Sequence, residues 1–159
     1  MTLNALEIDN SHSQVSFQTK KLGFFTIKGT LSDFQGKIIF DKNDLQNSNF
    51  DNSVSAVSID TGNAKRDEHL KSNNFFYVKE FPKISFHSIK ILKENNHYSV
   101  KGKLTILNTT KEIAILFSYE NNLQQGGFSL NRLDYGVGEK FPGFIVGKTV
   151  RILINTKTK

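Results

Sequence analysis

The chain has 159 residues, enough for one domain with a sizeable core, and we expect a single domain over residues 1–159. It contains no cysteine, which excludes a disulfide framework and a cysteine-based metal site. The net charge of +6 suits an anionic partner. Most lysines, however, are scattered singly along the predicted strands, which is typical of edge protection rather than of a nucleic-acid surface.

No apolar run approaches the roughly 18 residues of a membrane span. The first ten residues lack the basic start and the apolar stretch of a signal peptide. We therefore expect no membrane span and a cytoplasmic location for the chain as written. A leader removed upstream of Met1 would make the location periplasmic.

Phenylalanine dominates the apolar composition, with 14 Phe, no Trp and one Met. Phe supplies a large apolar area with no polar group to satisfy. So many phenylalanines in an otherwise polar chain favour an interior that is wide rather than merely filled.

The first two predicted strands cover about residues 11–19 and 25–40. In the second, the apolar phase begins on odd positions such as Ile27 and Leu31 and ends on even ones such as Phe34 and Ile38. A period of two changes parity only through an extra residue, so we predict a β-bulge near Ser32 and Asp33. Residues 41–53 are polar and predict a loop before a short strand over residues 54–59.

Residues 61–86 interrupt the strand pattern. Asp67 near the front and Lys71 near the back suit the dipole of a short helix, which we predict near residues 65–74. Phe75 and Phe76 follow it, and a strand resumes after Pro82. We interpret this segment as a plug with a charged outer face and an inward aromatic tail. A solvated surface loop is the alternative.

The remaining chain predicts a meander of short strands. Tyr98, Val100, Gly102, Leu104 and Ile106 alternate with polar residues, and residues 113–119 form the antiparallel partner. Residues 120–126 predict a turn, and residues 149–156 the closing strand. The fold class is therefore all-β: an eight-stranded antiparallel up-and-down barrel with a short helical insertion near residues 65–74.

Catalytic and metal motifs are weak. The sequence has no phosphate-binding loop, no Gly-x-Ser-x-Gly elbow and no His-Glu-x-x-His helix, and the four histidines show no ligand spacing. We expect no metal and no cofactor. Arg66, Asp67 and His69 stand close together and could do acid–base work, but an Asp–Arg pair that locks the plug to the barrel is the favoured interpretation.

Four local patterns resemble the YceI-like, polyisoprenoid-binding domain family, over about residues 8–154. The residues that carry the resemblance are His12-Ser13-x-Val15-x-Phe17 with Leu22-Gly23 and Phe34-x-Gly36; Arg66-Asp67-x-His69-Leu70-x-Ser72 with Phe75-Phe76 and Phe81-Pro82-x-Ile84-x-Phe86; Gly102-x-Leu104-Thr105 with Thr110-Lys111; and Arg132-x-Asp134-Tyr135-Gly136-x-Gly138. The resemblance implies a lipocalin-like barrel with a long apolar tunnel, and lipid binding rather than catalysis. Lys20-Lys21 and Tyr77 depart from the family pattern near the expected tunnel wall or mouth.

Three functions compete. The first is a carrier, reservoir or sensor of an isoprenoid-like or other long-chain amphiphilic lipid, such as a quinone or a prenyl phosphate, with no enzymatic activity. The second is an enzyme acting on such a lipid, which requires Arg66, Asp67 and His69 to face the tunnel. A nucleic-acid-binding barrel is the least favoured. A homodimer is left open.

Strand parity and the inward aromatic tail define the candidate residues. The expected ligand-binding residues are Phe17, Phe34, Phe75, Phe76, Phe86, Leu104, Ile106, Phe117 and Leu130. The expected structural plug comprises Arg66, Asp67, His69, Arg132 and Asp134. A small barrel packed solid by its own Phe side chains is the structural alternative.

Overall fold

Eight antiparallel strands form a closed barrel, because the first strand pairs with the last as well as with the second. The computed structural model describes residues 3–159. The strands are β1 Gln14–Lys21, β2 Phe25–Ile39, β3 Asn49–Asp60, β4 Lys83–Glu94, β5 His97–Ile106, β6 Thr109–Glu120, β7 Leu123–Asn131 and β8 Thr149–Lys157. The helix α1 spans Ala64–Lys71, and single 3-10 turns lie at Asn10–His12, Leu45–Asn47 and Arg132–Tyr135. The predicted all-β barrel with one short helical insertion is confirmed.

The predicted bulge in β2 is present. The register between β2 and β3 shifts around Ser32, and Asp33 has a positive φ of 61°. Leu31 and Phe34 are consequently both buried, although they are three residues apart. A second register shift between Ser88 and Lys90 bends β4. Such bulges raise the local twist and curvature that a sheet needs to close.

Two predicted loops are shorter than expected. β3 already begins at Asn49, because this stretch pairs with β2 and β4 on its two sides. The predicted turn over residues 120–126 is only Asn121 and Asn122, with φ values of 54° and 62°. Paired positive φ values fit a tight two-residue hairpin, for which asparagine is well suited. β7 therefore starts at Leu123 and brings Gln124 into the sheet.

The two ends of the barrel differ. The end that carries α1, hereafter the helical end, also carries the β1–β2 turn and the long connection between β7 and β8. The opposite end is filled by an aromatic cluster of Phe40, Phe50, Tyr98, Phe117 and Tyr119, whose ring centroids lie 4.6–6.1 Å apart. Within residues 3–159, no helix is both long and apolar enough to cross a membrane.

Candidate functional site

An apolar cavity of about 210 Å³ lies inside the barrel, lined by side chains from all eight strands and from the segment that follows α1. For comparison, an engineered protein cavity of about 150 Å³ lined by apolar side chains stays dry and binds benzene. The barrel is therefore hollow rather than packed solid, with room for a short hydrocarbon segment.

All nine side chains expected from strand parity and from the aromatic tail line this cavity. They are Phe17, Phe34, Phe75, Phe76, Phe86, Leu104, Ile106, Phe117 and Leu130. Strand residues reach the interior because alternate side chains of a barrel strand point inward. That these residues contact a ligand stays a prediction.

The helical segment places its aromatic tail inside the barrel. The Asn63 side chain caps α1 by accepting from the Arg66 backbone N–H at 3.0 Å, and Ser72 ends the helix. Phe75 is then buried and stacks on Phe141 from the β7–β8 connection, with ring centroids 5.0 Å apart. The His69 ring meets both at their edges, at 5.1 and 5.4 Å. These rings close part of the helical end.

Arg66 and Asp67 anchor α1 to the end of β3 through one residue, Thr61. Asp67 accepts from the Thr61 backbone N–H at 2.9 Å and from its hydroxyl at 2.5 Å. The Arg66 guanidinium donates to the Thr61 hydroxyl at 2.8 Å and to its carbonyl at 2.9 Å. Arg66 and Asp67 do not form an ion pair in the described chain. Neither they nor His69 line the cavity.

Arg132 was expected to belong to the plug with Arg66 and Asp67, but it bonds to a different segment of the chain. It is only 4% exposed, and its five guanidinium N–H groups donate to five backbone carbonyls. The acceptors are the carbonyl oxygens of Val137, Gly138, Phe141, Val146 and Gly147, at 2.5–2.9 Å. Burial lowers the pKa of Arg132. The side chain therefore pins the β7–β8 connection over the helical end and has no N–H left for a ligand.

Asp134 corrects the expected plug as well. It is exposed and lies on the 3-10 turn Arg132–Tyr135, away from the Thr61 contacts of α1. Burial, together with the Asp134 charge, raises the pKa of Tyr135. Of the five expected plug residues, Arg66 and Asp67 thus form the Thr61 anchor, and Arg132 forms a separate clamp on backbone carbonyls of the β7–β8 connection. His69 packs against aromatic rings, and Asp134 belongs to neither group.

Gln124 is a cavity residue that the sequence analysis missed. It is 8% exposed and lines the cavity, yet its amide nitrogen has no hydrogen-bond partner in the described chain. Its cross-strand neighbour on β8 is Thr156, which is also buried. Gln124 was missed because residues 120–126 were predicted to form a turn rather than part of a strand. The alternation of Gln124, Gly126, Phe128 and Leu130 was the available signal.

A closed eight-stranded antiparallel barrel around an apolar cavity is the architecture of lipocalin-type container barrels. The chain belongs to the YceI-like domain family, whose model matches residues 6–158. The resemblance found in the sequence motifs is thereby confirmed.

Sequence relatives include a UPF0312 protein of Photorhabdus laumondii and protein YceI of Salmonella arizonae, each 31% identical over 110 residues. The aligned segment covers 69% of this chain but only 57% and 58% of these relatives. Among solved structures, BcnA of Burkholderia cenocepacia has a TM-score of 0.86 at 23% identity, covering 94% of this chain and 98% of its own. A polyisoprenoid-binding domain from Saccharophagus degradans has a TM-score of 0.68 at 10% identity and covers 99% of this chain and 100% of its own.

Proposed function

We propose that the protein binds an isoprenoid-like or other long-chain lipid in the barrel cavity, as a carrier, reservoir or sensor and not as an enzyme. The observation that most strongly supports this proposal is the cavity of about 210 Å³, whose wall is almost wholly apolar. Such a wall retains a hydrocarbon chain through burial of apolar area, at about 25 cal/mol per Å². The likeness in fold to a domain described as polyisoprenoid-binding supports the same ligand class.

The cavity wall also bears on the polar end of the ligand. All five N–H groups of Arg132 are engaged, and the other polar side chains of the wall are neutral hydroxyls and amides, among them the unpartnered amide of Gln124. Neutral hydroxyls and amides do not compensate the desolvation of a buried phosphate. They suit a neutral acceptor, so we propose a quinone-type carbonyl next to Gln124. A phosphate head group would instead have to stay outside the cavity.

The charged side chains near α1 support binding over catalysis. An enzyme acting on a lipid in the tunnel needs its acid–base groups within hydrogen-bond reach of the substrate. Arg66 and Asp67 instead bond to Thr61, and His69 packs against aromatic rings. Their contacts are those of a structural anchor.

Native mass spectrometry of the purified protein, followed by lipid extraction, tests the proposal. We expect a bound mass that is lost on denaturation and an extract containing a long-chain lipid. Titration with a fluorescent prenyl or fatty probe should then give an affinity that changes little between low and high salt, since screening does not act on apolar burial. A nucleic-acid ligand would be lost steeply with salt.

A cavity-filling variant gives the matched comparison. Val150→Phe enlarges a cavity-wall residue at the helical end, whereas Val57→Phe makes the same change at an exposed position. We expect only the first to reduce probe binding. Gly102 is unsuitable for this purpose, since a Cβ there would lie 2.4 Å from the Phe86 ring and 2.7 Å from the His87 carbonyl. Absence of both a co-purified lipid and probe uptake would contradict the proposal.

A further inference from the structure

Three of the 14 phenylalanines are exposed, and all three lie at the helical end. Phe24 and Phe25, beside the β1–β2 turn, are 86% and 63% exposed, and Phe144 in the β7–β8 connection is 74% exposed. The other eleven are buried or half-buried. Large apolar side chains gathered on one surface and left in water mark an interaction site.

Backbone contacts hold these residues on a single surface. The Leu22 N–H donates to the Ile145 carbonyl at 3.0 Å, and the Gly147 N–H donates to the Lys20 carbonyl at 2.7 Å. Lys21 and Val146 form a β-bridge between the same two segments. Leu22 is itself half-exposed and joins the apolar surface. Leu22, Phe24, Phe25 and Phe144 together form what is called here the apolar tip.

Both segments that form the apolar tip carry lysines. The charged residues of segments 20–26 and 139–148 are Lys20, Lys21, Lys140 and Lys148, with Glu139 as the single acid. All four lysines are exposed, and none forms an ion pair within residues 3–159. The Lys148 stem lies against Gly143, directly before Phe144, whereas the Glu139 carboxylate approaches Gly136. The tip therefore combines exposed apolar side chains with an excess of exposed lysines.

We propose that the apolar tip docks on an anionic membrane surface, with its aromatic side chains in the interface and the lysines on the lipid head groups. Exposed Phe and Leu combined with unpaired lysines are the chemistry of peripheral membrane attachment. A second copy of the chain fits less well, since it would bring two sets of lysines together. Docking in this way would hold the cavity wall at Thr19 and Val146 next to the membrane.

Co-sedimentation with vesicles tests this surface independently of what the cavity holds. We expect the protein to pellet with vesicles of 70% phosphatidylcholine and 30% phosphatidylglycerol, and much less with phosphatidylcholine alone. Phe24→Ser with Phe144→Ser should weaken binding at least tenfold. The matched control is Ile89→Ser with Leu92→Ser, two exposed apolar residues of β4 on the barrel wall, which should bind as the unaltered chain does.

Charge-reversal variants test the electrostatic contribution to vesicle binding separately. Lys21→Glu with Lys140→Glu should lower binding to the anionic vesicles more than tenfold. Lys90→Glu with Lys93→Glu changes the net charge equally but on β4, and should lower it far less. Amide hydrogen exchange on the unaltered chain should show protection of segments 20–26 and 141–146 when vesicles are added, a readout that needs no variant.

Any one of three results would contradict docking of the apolar tip on a membrane. These are no pelleting with anionic vesicles, equal losses of vesicle binding in the tip and β4 variants, or no protection of the two segments from hydrogen exchange. Concentration-dependent dimerisation that disappears in the Phe24→Ser, Phe144→Ser variant, without vesicle binding, would assign the tip to a second copy. Probe uptake in solution, measured on the same variants, reports the cavity separately, so failure of either proposal is recognised without the other.

Discussion

Replacement of Arg132 by methionine removes the five N–H donors that hold the β7–β8 connection, while keeping an unbranched side chain. Two of the five acceptors, the carbonyls of Val137 and Gly138, are in buried contacts, and the other three are partly buried and can bind water. A buried acceptor left without a donor costs about 1–3 kcal/mol. The Gly138 carbonyl still accepts from the Phe141 backbone N–H at 3.0 Å, so the Val137 carbonyl alone is left without a donor. The expected loss is therefore about 1–3 kcal/mol, reduced by relief of the buried charge.

A loss of this size is readily measured by thermal unfolding. For a chain of this length, each kcal/mol lowers the Tm by about 2–4 °C, so we expect a decrease of roughly 2–12 °C. Hydrogen exchange should also increase over residues 137–147, where the clamp acts. Arg151→Met is the matched control, because Arg151 lies on β8 but is exposed. It should move the Tm by less than about 2 °C.

Two results would contradict the stabilising role of Arg132. If Arg132→Met has the same Tm as the Arg151→Met control, the carbonyls of the β7–β8 connection find other hydrogen-bond donors, and the Arg132 clamp contributes little to stability. If the Tm falls but hydrogen exchange over residues 137–147 is unchanged, the loss arises elsewhere in the barrel.

Three further predictions follow from the site. Asp67→Ala removes the two hydrogen bonds from Thr61 and should lower the free energy of unfolding by about 1–3 kcal/mol. The control Glu68→Ala, at an exposed position, should change the free energy of unfolding by under about 0.5 kcal/mol. Equal Tm values for the two variants would show that the Thr61 anchor is not stabilising. Gln124→Met removes a buried amide without a protein partner, so the Tm of the empty protein should rise by about 2–4 °C, for a gain of about 1 kcal/mol, while a quinone-type probe binds more weakly. Gln125→Met, at the exposed neighbouring position, is the control. A fall in the Tm of Gln124→Met would mean that the Gln124 amide is already hydrogen-bonded. Alanine at Phe34, Phe76, Phe86 or Phe117 should reduce probe affinity and cost less than the roughly 3–5 kcal/mol of a fully packed core Phe. Full core losses at all four positions with no change in probe uptake would show that the interior is packed solid.

Much of the fold can be predicted from the amino-acid sequence. The alternation of apolar and polar side chains reports which face of each strand is inward, and its change of parity in β2 placed the bulge at Ser32 and Asp33. The same local rule identified seven residues that line the cavity, and the aromatic tail after α1 added Phe75 and Phe76. The short helix near residues 65–74 and the inward Phe75 also depend on near neighbours in the chain. These features are determined locally, and so the sequence alone predicts them.

Other features depend on which distant segments meet. Whether inward Phe side chains fill a barrel or leave a cavity depends on its radius, which follows from closure of β1 on β8. Arg132 finds carbonyls rather than a carboxylate because the β7–β8 connection folds around it. Phe24 and Phe144, some 120 positions apart in the printed sequence, share a surface only because the two segments bond through their backbones. Periodicity describes each strand separately, whereas the cavity, the clamp and the apolar tip exist only between segments, where packing and backbone hydrogen bonds decide the outcome.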